Sequence, residues 1–323
     1  MMSDAIKSFH IQFEFEPRVE NSPKKRKKYK TFVVCGMGGS HLAGDLLQVA
    51  YPEIDIVIHR NYGLPSLTQE RWKKAFVIAS SYSGNTEETI NAYLEAVEKK
   101  LPVISLAVGG KLIELAKKNE TPYIQMPNTG IQPRSALGYS MKAMMKAMRL
   151  EDGLKEVSYL SRTLNAEVLE PRGRELAQTL KNHVPVIYSS QKNRAIAYNW
   201  KIKFNETGKV PAFYNTFPEL NHNEMTGFDA KDESRHLSKI FHFIILRDTH
   251  DHPRIQKRMN VLKKLYADRN LPVTILDFEG NSTLQRIFSS LVLADWTALY
   301  TAEMYGLESE QVPMVEEFKR LVV

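Results

Sequence analysis

The stretch from Lys74 to Lys99, KAFVIASSYSGNTEETINAYLEAVEK, leaves this chain the fewest choices of fold. An apolar run, Ala75 to Ala79, ends in a polar knot of Ser80, Ser81, Tyr82, Ser83, Gly84, Asn85 and Thr86. Ile90, Tyr93, Leu94 and Val97 then recur on one helical face, so the pattern predicts a strand, a hydroxyl-rich turn and a helix. Asn85 followed three residues later by Glu88 reads as a helix start of the capping-box kind. A helix start presents unpaired N–H groups at the positive end of the helix dipole, and hydroxyls beside it make a place for a phosphate dianion. The same hydroxyls could instead satisfy only their own backbone. On the anion reading Glu87 and Glu88 have to point away from the ligand.

The strand-turn-helix unit recurs. Thr31 to Cys35 is a buried strand followed by a glycine turn, Gly36 to Ser40, and a helix from His41 to Tyr51; IDIVIHR, AFVIAS, PVISLAV and YIQMP are further strands. Strands alternating with helices predict right-handed crossovers and a parallel sheet covered on both faces. PVIYSS, FHFIILR and VTILDFEG, each followed by a helical pattern, repeat the scheme in the second half, with a last helix from Val312 to Leu321. A length of 323 residues fits two such α/β lobes. Residues 151 to 175, charged and broken by Pro171 and Gly173, are the linker candidate.

The net charge of +7 is localised: Lys24, Lys25, Arg26, Lys27, Lys28 and Lys30 carry six of those charges, leaving the rest near neutrality. We read the run as a solvated lead-in and expect no nucleic-acid role, since no basic face interleaved with aromatics extends it. No apolar stretch is long enough to span a bilayer, and MMSDAIKSFHIQFEFEP lacks the basic start and apolar centre of a signal peptide, so a cytoplasmic protein without a membrane role is expected. The single cysteine, Cys35, lies in an apolar run and reads as a core residue.

The glycines at 36, 38, 39 and 44 invite a dinucleotide fingerprint, but His41 stands where its third glycine would fall, and the next strand ends in His59 and Arg60 instead of a ribose-binding acid. They fit better as a close-approach loop that brings Ser40 opposite the Ser81 to Thr86 turn. Asp248, His250, Asp251 and His252 lack the spacing of a metal site and read as turn and cap residues. Within Asn199 to Phe228, the groups Glu206, Glu219, His222 and Glu224, taken with Arg134 of the first half, supply a base, a proton shuttle and a fixed cation.

GMGGSHLAGDLL, SSYSGNTEET, PRSALGYS, FNETGKVPAF and FPELNHNEMTGF together closely resemble, in order, the bifunctional phosphoglucose/phosphomannose isomerases of the sugar isomerase (SIS) domain superfamily. The resemblance implies two doubly wound SIS domains, at 31–150 and 176–323, after an N-terminal segment 1–30. It implies a homodimer that interconverts glucose 6-phosphate or mannose 6-phosphate with fructose 6-phosphate, with no metal or other cofactor. The phosphate would rest on Gly39, Ser40, Ser81, Ser83 and Thr86, with Arg134 beside the C1 and C2 oxygens. Glu206 resembles the catalytic base, His222 a ring-opening residue reaching the partner's site, and Lys319 the lysine of the C-terminal helix that assists it. Thr207, Gly208 and Gln132 depart from the family pattern at positions that carry none of these roles. The alternative is a regulatory SIS protein that binds a sugar phosphate without turnover.

Overall fold

The computed structural model describes residues 1–22, 27–229 and 231–322. The chain divides into two compact units, one of residues 8–164 and one that joins residues 1–7 to 165–323. Lys24, Lys25 and Arg26 of the basic run lie outside the described residues; beyond them Lys27, Lys28 and Lys30 are exposed, and Tyr29 stacks on Phe76 at 4.9 Å.

In the unit of residues 8–164, five parallel strands form one sheet: β1 (Thr31–Cys35), β2 (Asp55–His59), β3 (Ala75–Ser80), β4 (Val103–Ala107) and β5 (Tyr123–Gln125). Their order is β2-β1-β3-β4-β5. The central strands β1 and β4 are buried throughout, which is why they read as unbroken apolar runs. Val33, Val77, Ala92, Tyr93, Val103 and Leu112 share one core. Cys35 belongs to it, and burial, with Glu95 adding to the effect, pushes its thiol up to about 12, so it stays a protonated core residue.

The N-terminal segment wraps this unit. Glu20 exchanges backbone hydrogen bonds with Tyr123 and covers the free edge of β5. The 3-10 turn Phe9–Glu14 lies against the methionine-rich helix Leu137–Met148, whose buried Lys142 donates to the Phe13 carbonyl at 2.7 Å. The methionines Met141, Met144 and Met145 of that helix are core filler.

The other unit holds β6 (Val184–Ser190), β7 (Phe213–Phe217), β8 (Phe241–Arg247) and β9 (Val273–Asp277), parallel and in the order β7-β6-β8-β9. The 22-residue helix Thr283–Met304 is buried along most of its length. It packs on Ala166–Thr179 and Arg194–Glu206, with Trp200 Nε1 donating to Ser290 and Trp296 Nε1 to the Ala166 carbonyl. The helix Ala166–Thr179 runs unbroken through Pro171 and Gly173, against the expected interruption. Gly173 sits where a Cβ would lie 2.4 Å from that of Trp296, so it marks a close helix contact. The strand β7 was not expected.

Candidate active site

In the unit of residues 8–164 the chain runs from β1 outward to β2 and then returns to β3 on the other side of β1. That reversal opens a crevice at the carboxyl ends of β1 and β3, the place where open α/β sheets take ligands. Both hydroxyl-bearing turns meet there. Ser40, in the first turn of the helix Gly39–Ala50, accepts from the Tyr82 N–H at 2.9 Å, and Ser80 Oγ donates to the Ser40 carbonyl at 2.8 Å.

The hydrogen bonds within the second turn sort its hydroxyls into two layers. Ser81 is fully buried; its Oγ accepts from the N–H groups of Gly84 (3.0 Å) and Thr86 (3.4 Å) and lies 2.8 Å from Thr86 Oγ1. With two N–H groups on its oxygen, Ser81 can give its proton to Thr86, which leaves the Thr86 proton free to be donated elsewhere. Ser83 is exposed, and its Oγ accepts from the Asn85 N–H, which again leaves the hydroxyl proton for a ligand. Ser83 and Thr86 can therefore donate outward, while Ser40 and Ser81 hold the turn in shape.

The helix Glu87–Glu98 begins one residue later than expected, with Thr86 at its N-cap and no side chain closing the cap. Asn85 is used elsewhere: its Oδ1 accepts from the Lys111 N–H at the start of the next helix. Gly84, at φ +76°, abuts that neighbouring turn so closely that a Cβ would fall 1.8 Å from the Gly109 carbonyl oxygen. Glu87 turns aside to accept from the Tyr62 hydroxyl.

Arg134 belongs to the same unit. It lies in the 3-10 turn Pro133–Ser135, with its side chain buried. A Cβ on Gly39 would meet the Pro133 carbonyl carbon at 2.7 Å and the Arg134 nitrogen at 2.9 Å, so the glycine lets the arginine loop rest on the phosphate-side helix. Gln12 fixes this loop from the far side, donating to the Ser135 carbonyl at 2.7 Å and accepting from the Gly138 N–H at 2.9 Å. Sequence reasoning missed Gln12, since its partners lie more than a hundred residues away.

Glu206, His222 and Lys319 are in the other unit, on three elements. Glu206 ends the helix Arg194–Glu206, half-buried, and its carbonyl accepts from Lys209 Nζ at 2.7 Å. The same Lys209 ammonium donates to the Gln311 carbonyl, tying the end of this helix to the segment leading into Pro313–Leu321. His222 is exposed on the turn after β7. Lys319 projects from the exposed helix Pro313–Leu321 and pairs with Glu316 at 2.7 Å.

Asp248, His250, Asp251 and His252 make turn and cap contacts. Asp248 lies 3.1 Å from the His250 ring and 3.6 Å from Lys192 Nζ, Asp251 accepts from Ser190, and His252 Nδ1 accepts from the Arg254 N–H at a helix start. Among the described residues no group of three or more His, Cys, Asp or Glu side chains could hold a metal ion, and no helix is long and apolar enough to cross a membrane.

Two parallel sheets flanked by helices, with hydroxyl-bearing turns at a strand reversal, define an open α/β protein of the doubly wound class. A putative phosphosugar isomerase from Clostridium difficile shares the fold at a TM-score of 0.66 and 15% identity, over 98% of this chain and 97% of that one. Residues 170–322 match the family model described as the bacterial phospho-glucose isomerase C-terminal SIS domain. The bifunctional phosphoglucose/phosphomannose isomerase of Caldicellulosiruptor bescii is 36% identical over 304 residues, covering 89% of this chain and 88% of that protein. That of Aquifex aeolicus is 31% identical over 319 residues, covering 97% and 96%. The chain belongs to the bifunctional phosphoglucose/phosphomannose isomerase family.

Proposed function

We propose that the protein interconverts glucose 6-phosphate, and its C2 epimer mannose 6-phosphate, with fructose 6-phosphate through an enediolate. The observation that carries this reading is the near-full-length similarity to relatives named for both activities, at 36% and 31% identity. The hydroxyl crevice at β1 and β3 supplies the anchor such substrates need.

The phosphate takes no part in the reaction. Held by Ser83 and Thr86, with Ser40, Ser81 and the Gly39 turn behind them, it orients the reacting carbons. Ring opening moves a proton between the anomeric hydroxyl and the ring oxygen, a task suited to the imidazole of His222 with Lys319 assisting. Glu206 then carries a proton between C2 and C1, and Arg134 stabilises the negative oxygen of the enediolate. The conversion is redox-neutral within the substrate, so no electron acceptor enters.

We assign the working protein to a homodimer in which His222 serves the partner's site. Its exposure on the turn after β7 supports this, as does the C-terminal helix, where Met314, Phe318 and Leu321 present a bare apolar stripe at helical spacing. A cytoplasmic setting accords with metabolism of free sugar phosphates.

A coupled assay tests the reading. Purified protein given fructose 6-phosphate in metal-chelating buffer should release both aldose 6-phosphates, and the Glu206→Gln protein should release neither at a comparable rate. Persistent inactivity of the unaltered protein would sink the isomerase reading in favour of sugar-phosphate binding without turnover.

A further inference from the structure

The FNETGKVPAFYNTFPELNHNEMTGF stretch carries three acids, Glu206, Glu219 and Glu224. Glu224, half-buried, has both carboxylate oxygens in use: Oε1 accepts from the Tyr188 hydroxyl at 2.5 Å, and Oε2 from Asn215 Nδ2. Tyr188 is fully buried on β6, at the centre of the core it shares with Phe217, Leu220 and Phe243. Burial first, and then the neighbouring Tyr266 and Glu224, hold its hydroxyl protonated far above the ordinary range, so it is a permanent donor. Asn215 on β7 cannot turn its amide over freely, because its Oδ1 accepts from the Thr216 N–H at 2.8 Å.

Glu224 thus bridges two neighbouring strands from the far end of the turn that carries His222. The turn is pinned elsewhere too: Leu220 is buried in the same core, Met225 and Phe228 pack against it, and Asn221 Oδ1 accepts from Arg258 at 3.3 Å. His222 is left exposed between these fixings. We infer that Glu224 is a positioning residue which, through Tyr188 and Asn215, fixes the turn that presents His222 for ring opening. Each of its oxygens is already held by a donor on a neighbouring strand, which suits the carboxylate to positioning the turn. The proposal rests on the isomerase reading and deepens it.

Substitution by glutamine has a defined consequence. One side-chain oxygen can still accept from Tyr188, but the new amino group then faces the Asn215 amino group, donor against donor, and the turn loses one of its two fixings. Tyr188→Phe deletes only a hydroxyl and keeps the packing, so it tests the same clamp in a protein whose core is intact.

The test separates ring opening from proton transfer by choice of substrate. Fructose 6-phosphate is mostly cyclic, whereas 5-deoxyfructose 6-phosphate cannot close, because O5 is missing and O6 carries the phosphate. For Glu224→Gln and Tyr188→Phe we expect kcat on fructose 6-phosphate to fall about tenfold or more, with turnover of the acyclic analogue within about twofold of the unaltered protein. Adding Glu224→Gln to His222→Gln should cost nothing further on the cyclic substrate, since both act on one step. Equal losses on both substrates, additive losses in the double variant, or no loss at all would overturn the proposal. Unaltered protein inert toward both substrates would overturn the isomerase reading, and this proposal with it.

Discussion

The two units carry the same kind of strand reversal, at β1/β3 and at β6/β8, and treat it in opposite ways. At β1/β3 the turns leave Ser83 and Thr86 hydroxyl protons to donate, and Glu87 is turned aside to Tyr62. At β6/β8 the corresponding turns are closed by carboxylates: Asp251 Oδ1 accepts from Ser190 at 2.7 Å and Asn193 at 3.3 Å, and Asp248 lies between Lys192 at 3.6 Å and Arg286 at 3.7 Å. Burial raises the Asp251 carboxyl above its ordinary value. For Asp248 burial acts in the same direction, but the His250 backbone and ring bonds and the charges of Lys192 and Arg286 hold it below. A phosphate brought there would meet two acids and have to compete with Asp248 for Lys192 and Arg286. Fold alone therefore does not make a phosphate site; the side chains at the reversal decide, and on the proposed reading the anchor falls at β1/β3 and not at β6/β8.

This division of labour can be broken by substitution. The largest effect is expected at Glu206: Glu206→Gln should lower kcat by about a thousandfold with KM little changed, as read by steady-state kinetics, since general acid-base groups contribute roughly 10² to 10⁴. A rise in KM alone would place Glu206 with the anchor. Next, Thr86→Ala or Ser83→Ala should raise KM by about ten- to a hundredfold, the worth of a hydrogen bond to a charged group at about 1.5 to 3 kcal/mol. A loss confined to kcat would contradict the anchor.

The β6/β8 reversal should respond only in stability. Ser190→Ala takes a donor from the buried Asp251 carboxylate and should cost about 1 to 3 kcal/mol in urea unfolding, with kcat and KM unchanged. A kinetic effect at saturating stability would mean that this crevice also binds ligand.

The smallest effect concerns pH. His242, on β8, is held neutral: burial, and then the nearby His183, lower its pKa to about 4. In the unfolded chain it titrates near 6.5, so as pH falls from 6.5 toward 4 the unfolded state takes up the proton first and stability declines. Between pH 7 and pH 5.5 this should amount to about 1 kcal/mol, and His242→Gln should flatten that part of the stability profile.

The comparison also shows which parts of the molecule were legible in sequence. β1 and β4 stood out because both faces are covered, leaving an uninterrupted apolar run. β7, an edge strand reading FYNTF, is exposed at Phe213 and polar at Asn215 and Thr216, so nothing in its pattern separated it from a loop. Pro171 and Gly173 looked like helix breakers because local propensity says nothing about Trp296, which needs the glycine's empty space. Asn85 looked like a helix cap, and the structure gives it to the next helix instead, a choice made by the contact of two turns distant in sequence. Among the candidate site residues, Ser83, Thr86, Arg134, Glu206 and His222 were marked by their residue types taken together and by the ordered motifs that contain them. Gln12, Tyr188 and Asn215 were hidden, since each matters only through a partner that folding brings to it.

The central claim is that a proton, not a hydride, moves between C1 and C2 of a hexose 6-phosphate anchored at β1/β3. Proton NMR of fructose 6-phosphate incubated with the protein in D2O to equilibrium tests it most directly. The account predicts glucose 6-phosphate and mannose 6-phosphate bearing deuterium at C2, accumulated over many cycles through the enediolate. Unchanged fructose 6-phosphate, or aldoses free of deuterium at C2 after those cycles, would contradict it.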